Sequence, residues 1–197
     1  MISIGILVFD DVDSVDVAAQ YEVFSTAARI HALQCPRQTL FRCYLIGAEM
    51  RTIRARGGMK LLPDCVLLPA SDIDVLIIPG GNVSNVLEHN ATIEWIKTRA
   101  KDSRVTAAVR SGGLVLAKAG LAAWCDYGKV LTCNGPTAGI ELSLHLVQQF
   151  AGPALACATA REIDYCRNNH ANTPKATATT VTIFTTAAAD TSLFLAA

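Results

Sequence analysis

The chain has 197 residues, of which 51% are hydrophobic and 17% are charged, with 17 basic residues balanced by 17 acidic ones. This length and composition predict one domain with a full hydrophobic core. The balanced charge and the lack of a basic run argue against nucleic acid or an anionic membrane surface as a partner, and no apolar stretch is long enough to cross a bilayer.

The start of the chain and the cysteines indicate the cellular compartment. Met1 leads directly into an apolar run without the basic segment and cleavage site of a secretory leader, so we expect a cytoplasmic protein. The seven cysteines are an odd number without a CxxC pair, which favours reduced, mostly buried thiols over disulfides or a zinc site. The sequence predicts no metal and no cofactor.

The first quarter of the chain predicts a strand, a helix and a second strand. Residues 2–9 form a continuous apolar run typical of a strand covered on both faces. The pattern changes to helical spacing from Ser14 or Asp16 to Ile30, and a polar loop is expected at 31–39. A second strand is predicted at 41–47, followed by a small antiparallel ribbon within 51–62.

Asp16 lies where the first predicted strand gives way to a helix. Sites in open α/β sheets gather outside the carboxyl ends of the strands, so this carboxylate is a candidate acid or base. The alternative is an aspartate that caps the helix or pairs with its dipole, and the local sequence favours that reading.

A buried strand is predicted at 74–78, and it runs into Pro79, Gly80 and Gly81. Glycines at the end of a strand leave backbone N–H groups uncovered, so Gly80 and Gly81 could form an oxyanion hole or a simple tight turn. An ordinary surface helix is expected at 91–101.

The stretch 104–120 has the pattern of a strand, a sharp turn and a helix. A β-branched strand at 105–109 meets Arg110, Ser111 and two glycines, Gly112 and Gly113, and a helix is expected at 114–121. Such elbows present one exposed side chain beside free helix N–H groups, including that of Gly112. They carry nucleophiles and they bind anions.

The rest of the ordered pattern consists of a strand at 129–133 and helices at 138–150 and 154–165. Alternation of buried strands and helices predicts an α/β protein with a mainly parallel central sheet. We expect one domain over 1–167 and an irregular tail over 168–197, which could include a strand near 180–185.

Three segments in collinear order, LIIPGG, SGGLVLAKAGL and VLTCNGPTAGIEL, resemble the ThiJ/PfpI superfamily. The similarity is greatest to its isocyanide hydratase subgroup and to the amidase-like domains of AraC-type regulators. The resemblance implies a flavodoxin-like three-layer sandwich, a homodimer and a catalytic cysteine on the elbow. In the hydratases that cysteine attacks the isocyanide carbon and an aspartate matching Asp16 assists proton transfer, giving an N-substituted formamide.

Two departures from that pattern concern catalysis. The nucleophile position is Arg110, whose guanidinium stays protonated and offers no usable lone pair at neutral pH. Only residues 122–128 stand where the family has another strand and helix bordering the site.

Several roles for the elbow residues stay open. Arg110 could pair with Asp16, since both are expected at the carboxyl ends of adjacent strands; it could instead bind a carboxylate or phosphate, or point to solvent. Ser111 is an alternative nucleophile, but no histidine lies near it in the sequence: His31, His89, His145 and His170 fall on predicted loops or helix faces. Cys125 and Cys133 flank the shortened region and are read as buried free thiols.

The function implied by the resemblance is that of an isocyanide-hydratase-like protein, and Arg110 opposes catalysis. The alternative is a non-catalytic member that binds a small ligand or has a regulatory role. An AraC-type sensor would need a helix-turn-helix domain after Tyr165, and none fits in the remaining residues. A small-molecule ligand or substrate and a second copy of the chain are the expected partners.

Overall fold

The computed structural model describes residues 1–67, 73–121, 130–165 and 181–183. Within them a seven-stranded sheet has the order β5-β2-β1-β6-β7-β8-β9, in which β9 alone runs antiparallel to its neighbour. A two-stranded antiparallel ribbon, β3–β4, stands apart from it. The strands are β1 (Ile2–Leu7), β2 (Phe41–Gly47), β3 (Ile53–Arg54), β4 (Lys60–Leu61), β5 (Cys65–Val66), β6 (Val75–Ile78), β7 (Val105–Val109), β8 (Val130–Cys133) and β9 (Val181–Ile183).

Two layers of helices enclose the sheet. The helices are α1 (Ser14–Gln34), α2 (Ser84–Glu88), α3 (Asn90–Asp102), α4 (Gly112–Lys118), α5 (Pro136–Ala151) and α6 (Pro153–Glu162). Helices α1, α5 and α6 pack against one another on one face, and α2, α3 and α4 pack together on the other. The result is the three-layer, mainly parallel α/β sandwich that the sequence predicts.

The alternation of side chains along β6 shows why its sequence is apolar throughout. Val75 and Ile77 belong to the core under α1, α5 and α6, whereas Leu76 and Ile78 belong to the core under α2, α3 and α4. All four are fully buried. A central strand with helices on both faces must be apolar at every position, whatever face a residue takes.

Most predicted elements appear within a few residues of their expected bounds. The strands expected at 41–47 and 105–109 are confirmed at those residues, and the ribbon expected within 51–62 is β3–β4. The polar loop expected at 31–39 is wrong over its first half, because α1 continues to Gln34 and ends just before Pro36. Residues 32–34 are exposed, so the last turn of this helix carries no buried apolar face that the sequence pattern could show.

The strand order sets which loops meet at the site. Strand β6 lies between β1 and β7, so Asp16 and Arg110 do not follow adjacent strands, and that part of the prediction is wrong. Their side chains still reach each other, because the chain turns at Gly80 and Gly81 after β6. An isolated bridge between Val12 and Gly81 holds the β1–α1 loop against this turn.

The end of the chain adds one strand to the sheet. Residues 181–183 form β9, which pairs with Leu131–Cys133 of β8; a strand was expected at 180–185. The other tail residues after 165 and the shortened connection at 122–128 lie outside the described residues, as do Cys125 and His170. In the described part of the chain, no helix combines the length and the apolar character needed to span a membrane.

Candidate active site at the elbow

The turn between β7 and α4 is a sharp elbow, formed by residues 109–113. Arg110 has a φ of 51°, in the left-handed region that a side chain with a Cβ disfavours. Its N–H donates to the carbonyl of Cys133 at 2.8 Å, and its carbonyl accepts from Gly113 at 3.0 Å. The strained backbone is held on both sides, as the elbow pattern predicts.

Gly112 is in the elbow because the chain passes over the end of β6 there. A Cβ at this position would overlap the carbonyl oxygen of Ile78 and lie 2.8 Å from that of Pro79. Gly113, the next residue, would place a Cβ in open space. The two glycines therefore have different roles: Gly112 permits a close backbone approach, and Gly113 is not required for packing.

The Arg110 side chain is held by two carboxylates. Its Nη2 donates a short hydrogen bond to Asp13 Oδ2, and its Nη1 lies 3.7 Å from Asp16 Oδ1. The arginine side chain is 30% exposed and those of Asp13 and Asp16 are 13% and 0% exposed. The expected pairing with Asp16 is present at longer distance, and Asp13, which sequence reasoning did not single out, makes the closer contact.

Asp16 lies in the first turn of α1 and is fully buried. Its Oδ2 accepts from the Gly80 N–H at 3.1 Å, so its carboxylate is directed at the end of β6. Burial raises the pKa of Asp16 above its ordinary value, while the charge of Arg110 and the Gly80 hydrogen bond act in the opposite direction. The N-cap of α1 is Asp13, so Asp16 does not cap the helix, but as an acid in its first turn it lies where it can pair with the helix dipole.

The amides of Gly80 and Gly81, considered for an oxyanion hole, both have partners. The Gly80 N–H donates to Asp16, and the Gly81 N–H donates to Ser111 Oγ at 2.9 Å. The Ser111 hydroxyl in turn donates to the Gly81 carbonyl at 2.8 Å. This reciprocal pair ties the elbow to the end of β6. The Ser111 hydroxyl proton is therefore donated to a carbonyl and not to a base, and one of the two hydroxyl lone pairs is occupied, which does not favour Ser111 as a nucleophile.

Cys133 is a buried thiol beneath the elbow, at the end of β8. Burial, with a smaller contribution from the charge of Asp16, raises its pKa to about 12. Since the thiolate is the reactive form, this cysteine is unsuited to replace an elbow nucleophile. It packs in the same core as Val109 and Ala138.

We expect iodoacetamide at neutral pH to alkylate Cys133 at least about a hundredfold more slowly than the exposed Cys157, because Cys133 is buried and protonated. Peptide mass spectrometry after timed labelling measures both rates in one sample. Repeating the labelling in denaturant gives the control, in which the two rates should converge. Comparable rates in the folded protein would contradict the burial of this thiol.

Two site residues were missed by sequence reasoning, and spacing could have found both. Asp13, Asp16 and Gln20 are separated by three and four residues, so they share one face at the start of α1. Gln20 is fully buried, and neither its Oε1 nor its Nε2 has a hydrogen-bond partner among the described residues. A Cβ at Gly139 of α5 would overlap the Gln20 amide, which explains the glycine in that helix.

None of the described histidines is on the elbow or hydrogen-bonded to Ser111, as a catalytic base for that serine would be. His31 is in the last turn of α1, His145 is within α5, and His89 precedes α3, where its ring accepts from the Thr92 N–H. No group of three or more His, Cys, Asp or Glu side chains arranged to hold a metal ion occurs among the described residues. The elbow therefore combines an arginine, two carboxylates close to its guanidinium and a serine whose hydroxyl is hydrogen-bonded to Gly81.

Comparison with known proteins gives one family and several distant relatives. A model of the DJ-1/PfpI family matches residues 2–127. Isonitrile hydratase from Pseudomonas putida is 24% identical in an alignment of 190 residues, and the match covers 83% of this chain and 78% of that protein. The transcriptional regulator GbdR from Pseudomonas aeruginosa is also 24% identical, over 84% of this chain; the chain spans about half of that regulator, 51% of its length.

Solved structures agree on the fold. A ThiJ/PfpI family protein from Pseudomonas syringae superposes with a TM-score of 0.71 at 17% identity, covering 86% of this chain and 78% of the other. Oxidized DJ-1 from Toxoplasma gondii gives 0.70 at 17% identity, covering 84% of this chain and 99% of that one. At these identities the similarity establishes the architecture of the sandwich and no particular activity.

Proposed function

Since the chain belongs to the DJ-1/PfpI family, we propose that it is a non-catalytic member, which does not hydrate isocyanides and instead binds a small molecule. One observation carries the proposal: the residue at the elbow is Arg110, with its guanidinium bound to Asp13 and close to Asp16. An arginine supplies no nucleophile at neutral pH. Its charge is neutralised within the protein, so it also makes a poor open site for an anion.

The neighbouring groups support the same conclusion. A thiol nucleophile needs a lowered pKa, and burial gives Cys133 a raised one. A serine nucleophile needs a base, and the Ser111 hydroxyl donates to a carbonyl instead. An oxyanion hole needs free donors, and the Gly80 and Gly81 amides already have acceptors. Among the described residues, the elbow thus offers no activated thiol or hydroxyl, and the amides of Gly80 and Gly81 are occupied.

The hydratase interpretation rests on similarity along the chain. The chain is similar to isonitrile hydratase over most of its length. The resemblance of the sequence assigns proton transfer to Asp16. The similarity to half of a transcriptional regulator supports a binding role, because a domain that detects a ligand must bind it and does not need to convert it. A homodimer and a cytoplasmic location remain predictions from the sequence.

We expect no formamide above the uncatalysed rate when the protein is incubated with benzyl isocyanide, because the elbow provides no nucleophile. Chromatography of N-benzylformamide measures the product. The isonitrile hydratase of Pseudomonas putida serves as the positive control. Turnover by the unaltered protein would contradict the proposal and would direct attention to Ser111 or a cysteine.

Two variants refine that experiment. Arg110→Cys supplies a thiol at the elbow, and Arg110→Ala removes the guanidinium without supplying one. Formamide from the cysteine variant alone would mean that one substitution separates this chain from hydratase activity. If neither variant turns over, more than the elbow residue distinguishes the chain from a hydratase.

A further inference from the structure

A cleft of about 190 Å³ opens at the carboxyl edge of the sheet, apart from the ion pairs of the elbow. Its walls come from the end of β1, from the segment between β2 and β3, and from α2 and α3. The lining residues include Val8, Phe9, Asp10, Glu49, Arg51 and Val86. None of Asp16, Arg110 or Ser111 is among them.

The sheet topology favours a ligand site at this edge. From β1 the chain passes first to β2 on one side and later to β6 on the other, so the connections diverge at β1. In open α/β sheets, ligands bind in the crevice outside the carboxyl ends of the strands at such a switch point. The end of β1 and the helices that follow β6 both line the cleft.

The floor of the cleft is apolar. Val8 and Ile53 are buried there, as is Val86 of α2, and Phe9 contributes a half-buried ring. An apolar cavity of about 150 Å³ is enough to bind benzene. The cleft is slightly larger and open on one side, which suits a single ring or a branched chain with one polar group.

The rim leaves hydrogen-bond acceptors to a ligand. Arg51 donates through Nη2 to Asp10 at 2.6 Å, through Nε to Glu49 at 3.1 Å and through Nη1 to the Thr52 carbonyl at 3.3 Å. The hydrogen bond from Arg51 holds the pKa of Asp10 below its ordinary value, so this acid is an anion at neutral pH.

Each carboxylate has about four lone-pair positions, and the contacts described for Asp10 and Glu49 use only part of them. The side chains lining the cleft carry two negative charges and one positive charge. Arg54 donates its backbone N–H to Asp10 and its charge also acts on that carboxylate, but its side chain does not line the cleft.

We infer that this cleft binds small primary amines with an aromatic or branched apolar body, the ammonium group meeting Asp10 and Glu49 and the body lying against Phe9 and Val86. The inference rests on the proposed binding function and gives it a ligand class. It assigns the binding role to the crevice beside β1 and leaves the elbow as a closed structural element.

The test uses three probes of the same shape and different charge: benzylamine, benzyl alcohol and benzoate. Titrations of the full chain followed by ¹H–¹⁵N NMR give the affinity and the location in one measurement. Benzylamine should bind with shifts at Leu7–Asp10 and at Val86–Thr92 and with none at 110–113. The alcohol should bind about tenfold more weakly and benzoate more weakly still, since both lack the ammonium charge.

Glu49→Gln should weaken benzylamine binding about threefold to tenfold. The Glu49 side chain is exposed, so this substitution does not threaten folding. Asp102→Asn is the matched control, because that exposed acid also pairs with an arginine, Arg99 at 3.0 Å, at the end of α3 and outside the cleft.

Equal affinities for benzylamine and benzoate would overturn the inferred ligand class. An absence of shifts at the cleft with every probe would overturn the site, as would full benzylamine affinity in Glu49→Gln. None of these results bears on formamide production. Failure of this inference is thus separable from failure of the proposed function.

Discussion

Gly112→Ala should destabilise the protein by about 3 kcal/mol or more, because the new Cβ would overlap the Ile78 carbonyl oxygen and press on that of Pro79. Both obstacles are backbone atoms of the central strand and its extension, so neither can rotate away. Urea denaturation followed by circular dichroism gives the free energy of unfolding of the variant and of the parent protein.

Gly113→Ala is the matched control for that experiment. It makes the same chemical change one residue later, at a position where the added Cβ meets nothing within 4 Å. Alanine favours a helix over glycine by about 1 kcal/mol, so this variant should be equal to the parent or slightly more stable. Similar losses in both variants would mean that the elbow does not approach β6 as described.

Arg110→Met should cost about 3 kcal/mol of stability at neutral pH, because it leaves the fully buried Asp16 without its nearest cation. Methionine keeps the length of the side chain and the backbone constraint of the elbow, so the charge is the main change. Arg29→Met is the control: that arginine is 63% exposed, its partner Glu22 lies at 3.6 Å, and its loss should cost less than about 1 kcal/mol.

The pH dependence identifies the carboxylate responsible. The folded-state pKa of Asp16 is raised above the ordinary value of 3.8, so the folded protein binds a proton more tightly than the unfolded chain. Asp16 therefore contributes to stability below pH 3.8, and this contribution is lost as the pH rises through the raised pKa of the folded state. Removing Arg110 takes away a charge that lowers this pKa, so the loss in Arg110→Met should grow with pH and shrink near pH 4.

The double variant Arg110→Met with Asp16→Asn completes this thermodynamic cycle. Neutralising the buried acid should restore most of the lost stability and flatten the pH dependence. A loss in Arg110→Met that is the same at pH 4 and pH 7, or one that Asp16→Asn does not relieve, would mean that the Arg110–Asp16 contact contributes nothing and that Asp13 alone holds the arginine.

The local pattern of the sequence predicted the buried strands and the elbow turn, because each of them requires a particular kind of residue at successive positions. The apolar runs of β1 and β6 predict strands buried on both faces, because an unpaired polar side chain there would lie in one of two cores. The turn at Arg110–Gly113 likewise predicts an elbow, since a helix and a strand cannot be joined so tightly without small residues.

Boundaries and partners were less accessible to such reasoning. The last residues of α1 read as a loop because residues 32–34 are exposed, so no buried apolar stripe marks the helix there. Asp13 escaped notice because it lies in a run of acids, and its contact with Arg110 spans 97 positions of the chain. Spacing within α1 suggests that Asp13, Asp16 and Gln20 share a face, but it does not say what faces them.

By itself, the sequence determined the α/β class, the elbow after β7 and the presence of an arginine on that elbow, because each depends on the kinds of residues and their spacing along the chain. Only the tertiary structure decided that β6 separates β1 from β7, that Arg110 binds Asp13 more closely than Asp16, and that Gly80, Gly81 and Ser111 bond to their own neighbours. Those facts depend on which strand ends meet in space, and strand order is set by the packing of both helix layers together.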